Sequence, residues 1–155
     1  MAHSEWLEGT GKFPRKDFTV GLWLLANGYY GAEGLDFMER FRFPSFRVYH
    51  DAKEYCRFCR DIVRSHIEKA DRSLADQIVR ALNSIVLNIA EGSADQSDAE
   101  FARFLTISIR SIYETVAGFD LSVLYGYLQE DPIEIIEIKG QALVKQLVSF
   151  RQKLK

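Results

Sequence analysis

Between residues 46 and 155 the apolar side chains recur every three or four positions, in four separate runs, and this period restricts the chain to helices. The last run is the cleanest. Ile133, Ile136, Gly140, Leu143, Leu147, Phe150 and Leu154 step by 3, 4, 3, 4, 3 and 4. At about 100° per residue such positions line one face of a helix, whereas a strand would alternate.

The first helix is predicted over 46–69, where Val48, Ala52, Tyr55, Cys59, Ile62 and His66 form a coiled-coil-like seam. The second is predicted over 73–91. Ser73 is its expected N-cap, Asp76 lies in the first turn, and Gly92 is placed for a left-handed C-terminal cap. Its stripe is Leu74, Ile78, Leu82, Ile85 and Ile89, widened by Val79, Val86 and Ala90. The third helix opens on Ser97-Asp98-Ala99-Glu100, a capping box, and runs to about Tyr125, with Gly126 placed to close it. The fourth is expected to use Asp131 as N-cap and Pro132 as its first helical residue. Its acids, Glu134 and Glu137, come early and Arg151, Lys153 and Lys155 late, as the helix dipole prefers. Short links set successive helices antiparallel. The expected fold is all-α, an antiparallel up-down-up-down four-helix bundle over 46–155, preceded by an N-terminal extension over 1–45.

That extension differs in composition. It holds six of the ten glycines, both tryptophans and two of the three prolines. Short helices can form over 18–27 and 35–41, and Pro44 biases Phe43 away from helix and marks a boundary. Trp6, Phe13, Phe18, Trp23, Tyr29 and Tyr30 are expected to lie on a surface rather than build a core of their own.

The whole chain is 47% hydrophobic and 27% charged, which excludes a largely disordered chain. A net charge of -2 gives no overall electrostatic case for nucleic acid. The apolar run over 20–26 is too short to span a membrane, and Asp17 abuts it, against a signal-peptide reading. The protein is expected in the cytoplasm, which fits two unpaired thiols, Cys56 and Cys59.

The third helix is too apolar for one face. Phe101, Leu105, Ile112, Phe119 and Val123 form one stripe; Ile109, Tyr113, Val116 and Leu124 form an adjacent one; Phe104 and Ile107 extend the other side. The excess is expected to be covered by the extension or buried against another subunit, with Phe104, Ile107, Ile109 and Tyr113 as the candidate oligomer interface.

Few residues suggest chemistry. Cys56 and Cys59 form a C-x-x-C, but both lie mid-helix on the apolar side and only His66 shares their face, so core packing is expected rather than redox or metal use. Lys53, Arg57, Arg60 and Arg64 step by 4, 3 and 4 along one strip of the first helix. Such a strip can track phosphates or serve as a solvated edge, with Glu54 and Asp61 close enough to pair with it. Gln77, Ser84, Asn88 and Glu91 form a polar strip in the second helix, and Arg103 is the expected partner of Glu91. Asn88, Glu91, Ser97, Glu100 and Arg103 are read as a polar network fixing the corner between the second and third helices. No nucleophile–base set, phosphate-binding loop or internal repeat is visible. Neither catalysis nor a cofactor is expected.

Asn88-Ile89-Ala90-Glu91-Gly92, followed by Ser97-Asp98-Ala99-Glu100-Phe101-Ala102-Arg103-Phe104-Leu105, resembles the bacterial four-helix-bundle proteins encoded in intervening sequences of large-subunit ribosomal RNA genes. Phe46-Arg47-Val48-Tyr49, Ser111, Glu114 and Gly126-Tyr127-Leu128 extend the resemblance over about residues 46–155. It implies a homopentameric ring without known catalytic activity and with an inferred nucleic-acid role. The family is similar to the accessory variability proteins of diversity-generating retroelements, basic pentamers that bind a reverse transcriptase and nucleic acid. Two features depart from the family's pattern: the link Ser93-Ala94-Asp95-Gln96 is acidic where basic residues are usual, and the region 46–155 is not basic. Met38 lies just ahead of the family-like start, so residues 1–37 are either upstream of the true initiation site or a partner-docking extension. The expected function is that of a non-enzymatic homo-oligomer. Its expected partners besides itself are RNA or DNA through the first-helix strip, or a reverse transcriptase or other protein.

Overall fold

A computed structural model describes residues 41–94 and 97–154. The short helix expected over 18–27, most of that over 35–41 and the surface aromatics of the extension lie outside the described residues. Phe41 to Ser45 belong to the same compact unit as the four long helices.

Those helices account for most of the described chain: α1 (Arg47–Ile62), α2 (Arg72–Gly92), α3 (Asp98–Leu124) and α4 (Asp131–Lys153). Each packs on two neighbours, α1 on α2 and α4, and α3 likewise on α2 and α4, as a four-helix bundle requires. No strand occurs among the described residues. The four stripes meet in one core that includes Ala52 and Cys59 of α1, Ile78, Leu82, Ile85 and Ile89 of α2, Phe101, Leu105 and Phe119 of α3, and Ile136 and Leu147 of α4.

The helix ends show where local chemistry departs from the sequence reading. A 3-10 turn over Phe43–Ser45 takes Phe43 into helical backbone, and the break falls at Phe46, whose extended φ and ψ precede α1. Beyond Ile62 the first helix continues as a π-helical turn, Val63–Ile67, closed by the Glu68 N–H donating to the Val63 carbonyl at 3.0 Å. The wider turn takes one extra residue and rotates the positions after it about the helix axis. Val63 and Ile67 therefore enter the core, Ile62 is half-buried, and His66 is exposed rather than on the seam. For α2 the cap is Asp71, not Ser73. The Asp71 carboxylate accepts from the Leu74 N–H at 2.9 Å, and α2 starts at Arg72. Gly92 is still helical and its neighbour Ser93 is right-handed, so no left-handed cap forms there. Gly92 serves packing instead: a Cβ would sit 2.6 Å from Phe104 Cβ.

Ser97 caps α3 as expected, its hydroxyl accepting from the Glu100 N–H at 3.5 Å. Gly126, at φ 76°, closes it. The Gly126 N–H donates to Val123 and the Tyr127 N–H to Ser122, both at 2.8 Å, the paired bonds of a Schellman motif. For α4 the cap position is Glu130 and Asp131 is already helical, one residue earlier than expected.

Candidate interaction surfaces

The side of α3 that meets α2 is built from small residues. Ser108, Ser111, Thr115, Gly118 and Ser122 step by 3, 4, 3 and 4, and all are buried. Ser108 Oγ donates to the Ile85 carbonyl at 3.0 Å, and the Ser111 and Ser84 hydroxyls lie 2.8 Å apart. Thr115 and Ser122 donate back to carbonyls four residues earlier in α3, both at 2.8 Å. Such back-bonding satisfies a hydroxyl without an outside partner. Small side chains let the helices approach closely: a Cβ on Gly118 would lie 2.6 Å from Ile78 Cγ1.

With this seam occupied by small residues, the apolar arc of α3 turns partly outward. Tyr113 is 66% exposed, Leu124 75% and Tyr125 54%, and Leu121 is also exposed. The four residues expected at an oligomer interface do not form one surface. Phe104, half-buried, fills the corner beside Gly92, and Ile107 follows it one turn on. Ile109 packs on the core beside Val116, on the flank towards α4, and Tyr113 follows it outward. The outward flank of α3 is Tyr113, Leu121 and Leu124.

Lys53, Arg57 and Arg60 are exposed along α1, and Arg64 is exposed in the π-helical turn that follows it. Arg57 pairs with Glu54, and Arg64 with Asp61 at 3.3 Å. Lys53 sits over the Tyr49 ring, 4.9 Å from its centroid. Hydrogen bonding to Glu54 raises the Arg57 pKa further. Two of the four cations thus already have carboxylates on their own helix.

The polar corner divides. Arg103 Nε donates to Glu100 at 2.8 Å and its guanidinium lies 4.7 Å from the Phe104 centroid, while Glu91 is exposed. The expected Glu91–Arg103 pairing is therefore replaced by a pair within α3. The physical reason is the close approach at Gly92, which fills the corner with Phe101 and Phe104. Asn88 Nδ2 donates to the Ser84 carbonyl at 2.7 Å, one turn back within α2.

The C-x-x-C thiols are buried. Cys56 Sγ donates to the Leu82 carbonyl at 3.1 Å, and burial pushes both thiols up to about 12. Both pack in the core, where burial disfavours the thiolate that a reactive thiol needs. No cluster of metal-ligating side chains occurs among the described residues, and no helix among them is long and apolar enough to cross a membrane.

Two shallow surface grooves carry charge of a single sign. One, where the start of α1 meets the end of α4, is lined by Arg47, Lys145 and Lys153 around Phe46 and Phe150. The other, where the end of α3 meets the start of α4, is lined by Asp120, Glu130, Asp131, Glu134 and Glu137. Sequence reading missed both, because each draws residues from two helices.

A solved structure of a protein with unknown function from the S23 ribosomal protein family of Bacteroides thetaiotaomicron is similar to this fold, with a TM-score of 0.62 and 23% identity. The match covers 68% of this chain and 99% of that one. A comparison with curated proteins finds no match. The family model of the 23S rRNA-intervening sequence protein matches residues 45–149, which span the four helices almost entirely. The chain belongs to the 23S rRNA-intervening sequence protein family.

Proposed function

We propose that this protein is a non-enzymatic, cytoplasmic homo-oligomer, a pentamer on the family resemblance, that serves as a scaffold or accessory in a nucleic-acid-handling system. The observation that carries the reading is the outward flank of α3. Tyr113 and Leu124 are large apolar side chains left mostly in water on a helix whose opposite side is fully packed. Large apolar side chains left in water along one flank of a helix offer a surface to a partner. The family's link to ribosomal RNA genes supports the nucleic-acid setting.

A second reading is favoured by the pairing of Arg57 with Glu54 and Arg64 with Asp61, which neutralises half of the cationic strip. In that reading the oligomer is an adaptor for a reverse transcriptase or another enzyme and does not touch nucleic acid directly.

Light scattering tests the assembly. The expected mass is several times the 17.8 kDa chain, about five times for a pentamer. Tyr113→Glu with Leu124→Glu is expected to remove the α3 contact, because it places charge in an apolar interface. A wild-type monomer at micromolar concentration would overturn the reading. Co-purification of RNA or of a protein with the intact oligomer separates the two functions.

A further inference from the structure

The basic groove joins an apolar floor to a cationic rim. Phe46, Val48 and Phe150 form the floor and Arg47, Lys145 and Lys153 the rim, and no carboxylate is among the lining residues. The floor is preformed. Phe150 stands edge-on to Phe46 and to the buried Phe101, with ring centres 5.1 and 5.2 Å away, and Phe46 stacks on Phe101 at 5.9 Å. Phe46 and Phe150 are themselves half-buried, so each leaves part of its ring in water. Arg47 shares its charge with Asp51 at 3.6 Å, but neither Lys145 nor Lys153 enters an ion pair among the described residues. The first turn of α1, which opens onto the groove, holds no carboxylate.

The helix dipole accounts for Lys153, in the last turn of α4. It does not account for Lys145, which lies eight residues earlier, about 12 Å along the axis at about 1.5 Å per residue. Nor does it give a reason for both lysines to flank two aromatic rings that are only half covered.

We infer that this groove docks a short acidic segment of a partner protein, with one large apolar side chain over Phe46 and Phe150 and carboxylates on either side of it meeting Lys145 and Lys153. An apolar anchor inside a polar rim is the usual build of a protein interface, and the single sign of this rim selects the sign of the partner. The groove encloses about 560 Å³ and is open to solvent, which suits a segment laid across it rather than an enclosed small molecule. A nucleic-acid strand fits less well. Its charge continues past the groove, whereas the chain nets -2 and α4 turns acidic towards its other end, at Glu134 and Glu137. A short acidic segment needs only the local charge. The inference deepens the adaptor reading and rests on it for the partner. It draws on no residue of the α3 contact or of the α1 strip.

Fluorescence anisotropy with the full chain at low salt tests the groove. The probe is a labelled peptide, Gly-Glu-Asp-Phe-Asp-Glu-Gly. Its binding is expected to weaken as salt rises, and to weaken when its phenylalanine is replaced by glycine. Lys145→Glu with Lys153→Glu is expected to weaken binding by about tenfold. The same variant is expected to bind Gly-Lys-Lys-Phe-Lys-Lys-Gly instead, a gain that a misfolded chain would not show. Ser149→Glu, at an exposed position between the two lysines, is expected to weaken binding of the acidic peptide without reversing the preference. Wild-type protein that does not bind the acidic peptide, binding unchanged by the charge reversal, or a reversed chain that still prefers the acidic peptide would overturn the inference. So would single-stranded oligouridylate that displaces the peptide and no longer binds after charge reversal, because the occupant would then be nucleic acid. The adaptor reading fails separately, when no protein co-purifies with the wild-type oligomer although the peptide binds.

Discussion

Tyr55 places a phenol in the core, 3% exposed, where its hydroxyl has only the weak Cys59 thiol beside it and makes no well-formed hydrogen bond among the described residues. A buried polar group without a partner costs about 1–3 kcal/mol. Tyr55→Phe is therefore expected to leave the protein as stable or to stabilise it by about 1 kcal/mol in urea denaturation. A loss of that size would show that the hydroxyl is satisfied. The neighbouring thiols set a pH dependence. Cys56 and Cys59 are raised from 9.0 to about 12 by burial. Between those values the unfolded chain has released the thiol protons and the folded chain has kept them, so stability falls as pH rises. Below pH 9 their contribution is fully present. The urea midpoint is expected to drop from pH 9 upward, and Cys56→Ala with Cys59→Ala should shallow that slope. Burial of these two thiols was legible from their place on the apolar side of a heptad seam. The Tyr55 hydroxyl was not, because a phenol's partners depend on which helix faces it.

At the level of elements, the repeats identified all four helices, and Ser97 and Gly126 marked the ends of α3 because their caps depend only on nearby backbone. The π-helical turn defeated a wheel drawn at a fixed angle, which is why His66 stood in the expected seam and Ile67 in the actual one. The face of α3 towards α2 was missed for a different reason. The apolar stripes followed in the sequence assign no face to its serines and threonine, yet a hydroxyl that bonds a helix carbonyl is small enough to bury. The signal was present as small residues at heptad spacing. Two glycines test whether close approach is what this seam needs. At Gly118 an added Cβ would meet Ile78 at 2.6 Å, whereas at Gly140 its nearest contacts are 3.2 to 3.5 Å. Alanine gains about 1 kcal/mol over glycine inside a helix, while overpacking costs about 1–3 kcal/mol. Gly118→Ala is expected to lose about 1 kcal/mol and Gly140→Ala to be near neutral, both by urea midpoint. Equal effects would show that the α2–α3 spacing is not set by Gly118.

For the whole molecule, the candidate sites were legible only where they lie on one helix. The α1 strip was visible as a spacing of four cations; the charged grooves were not, because α4 contributes to each with a different partner helix. The spacing also did not reveal how much of the strip is already neutralised. A phosphate that binds Arg57 or Arg64 competes with Glu54 or Asp61, which sit on the same helix at a spacing that holds them close. Exposed pairs of this kind are worth little in stability, but they lower the charge that a polyanion meets. Each phosphate contact on a single strand adds about -0.7 to the slope of log affinity against log salt. If the strip binds RNA, Glu54→Gln with Asp61→Asn frees both arginines, so binding is expected to tighten and the slope to steepen. Arg57→Ala with Arg60→Ala should weaken binding similarly across sequences and flatten the slope. Neither variant alters α3 or α4, so the mass in solution should not change. Titration of labelled single-stranded RNA over a salt series reads all three slopes. If the protein is an adaptor without a nucleic-acid site, the wild type shows no affinity at about 150 mM salt, where screening acts over about 8 Å. Tight binding that survives loss of Arg57 and Arg60 would exclude the strip as the site while leaving RNA as a partner.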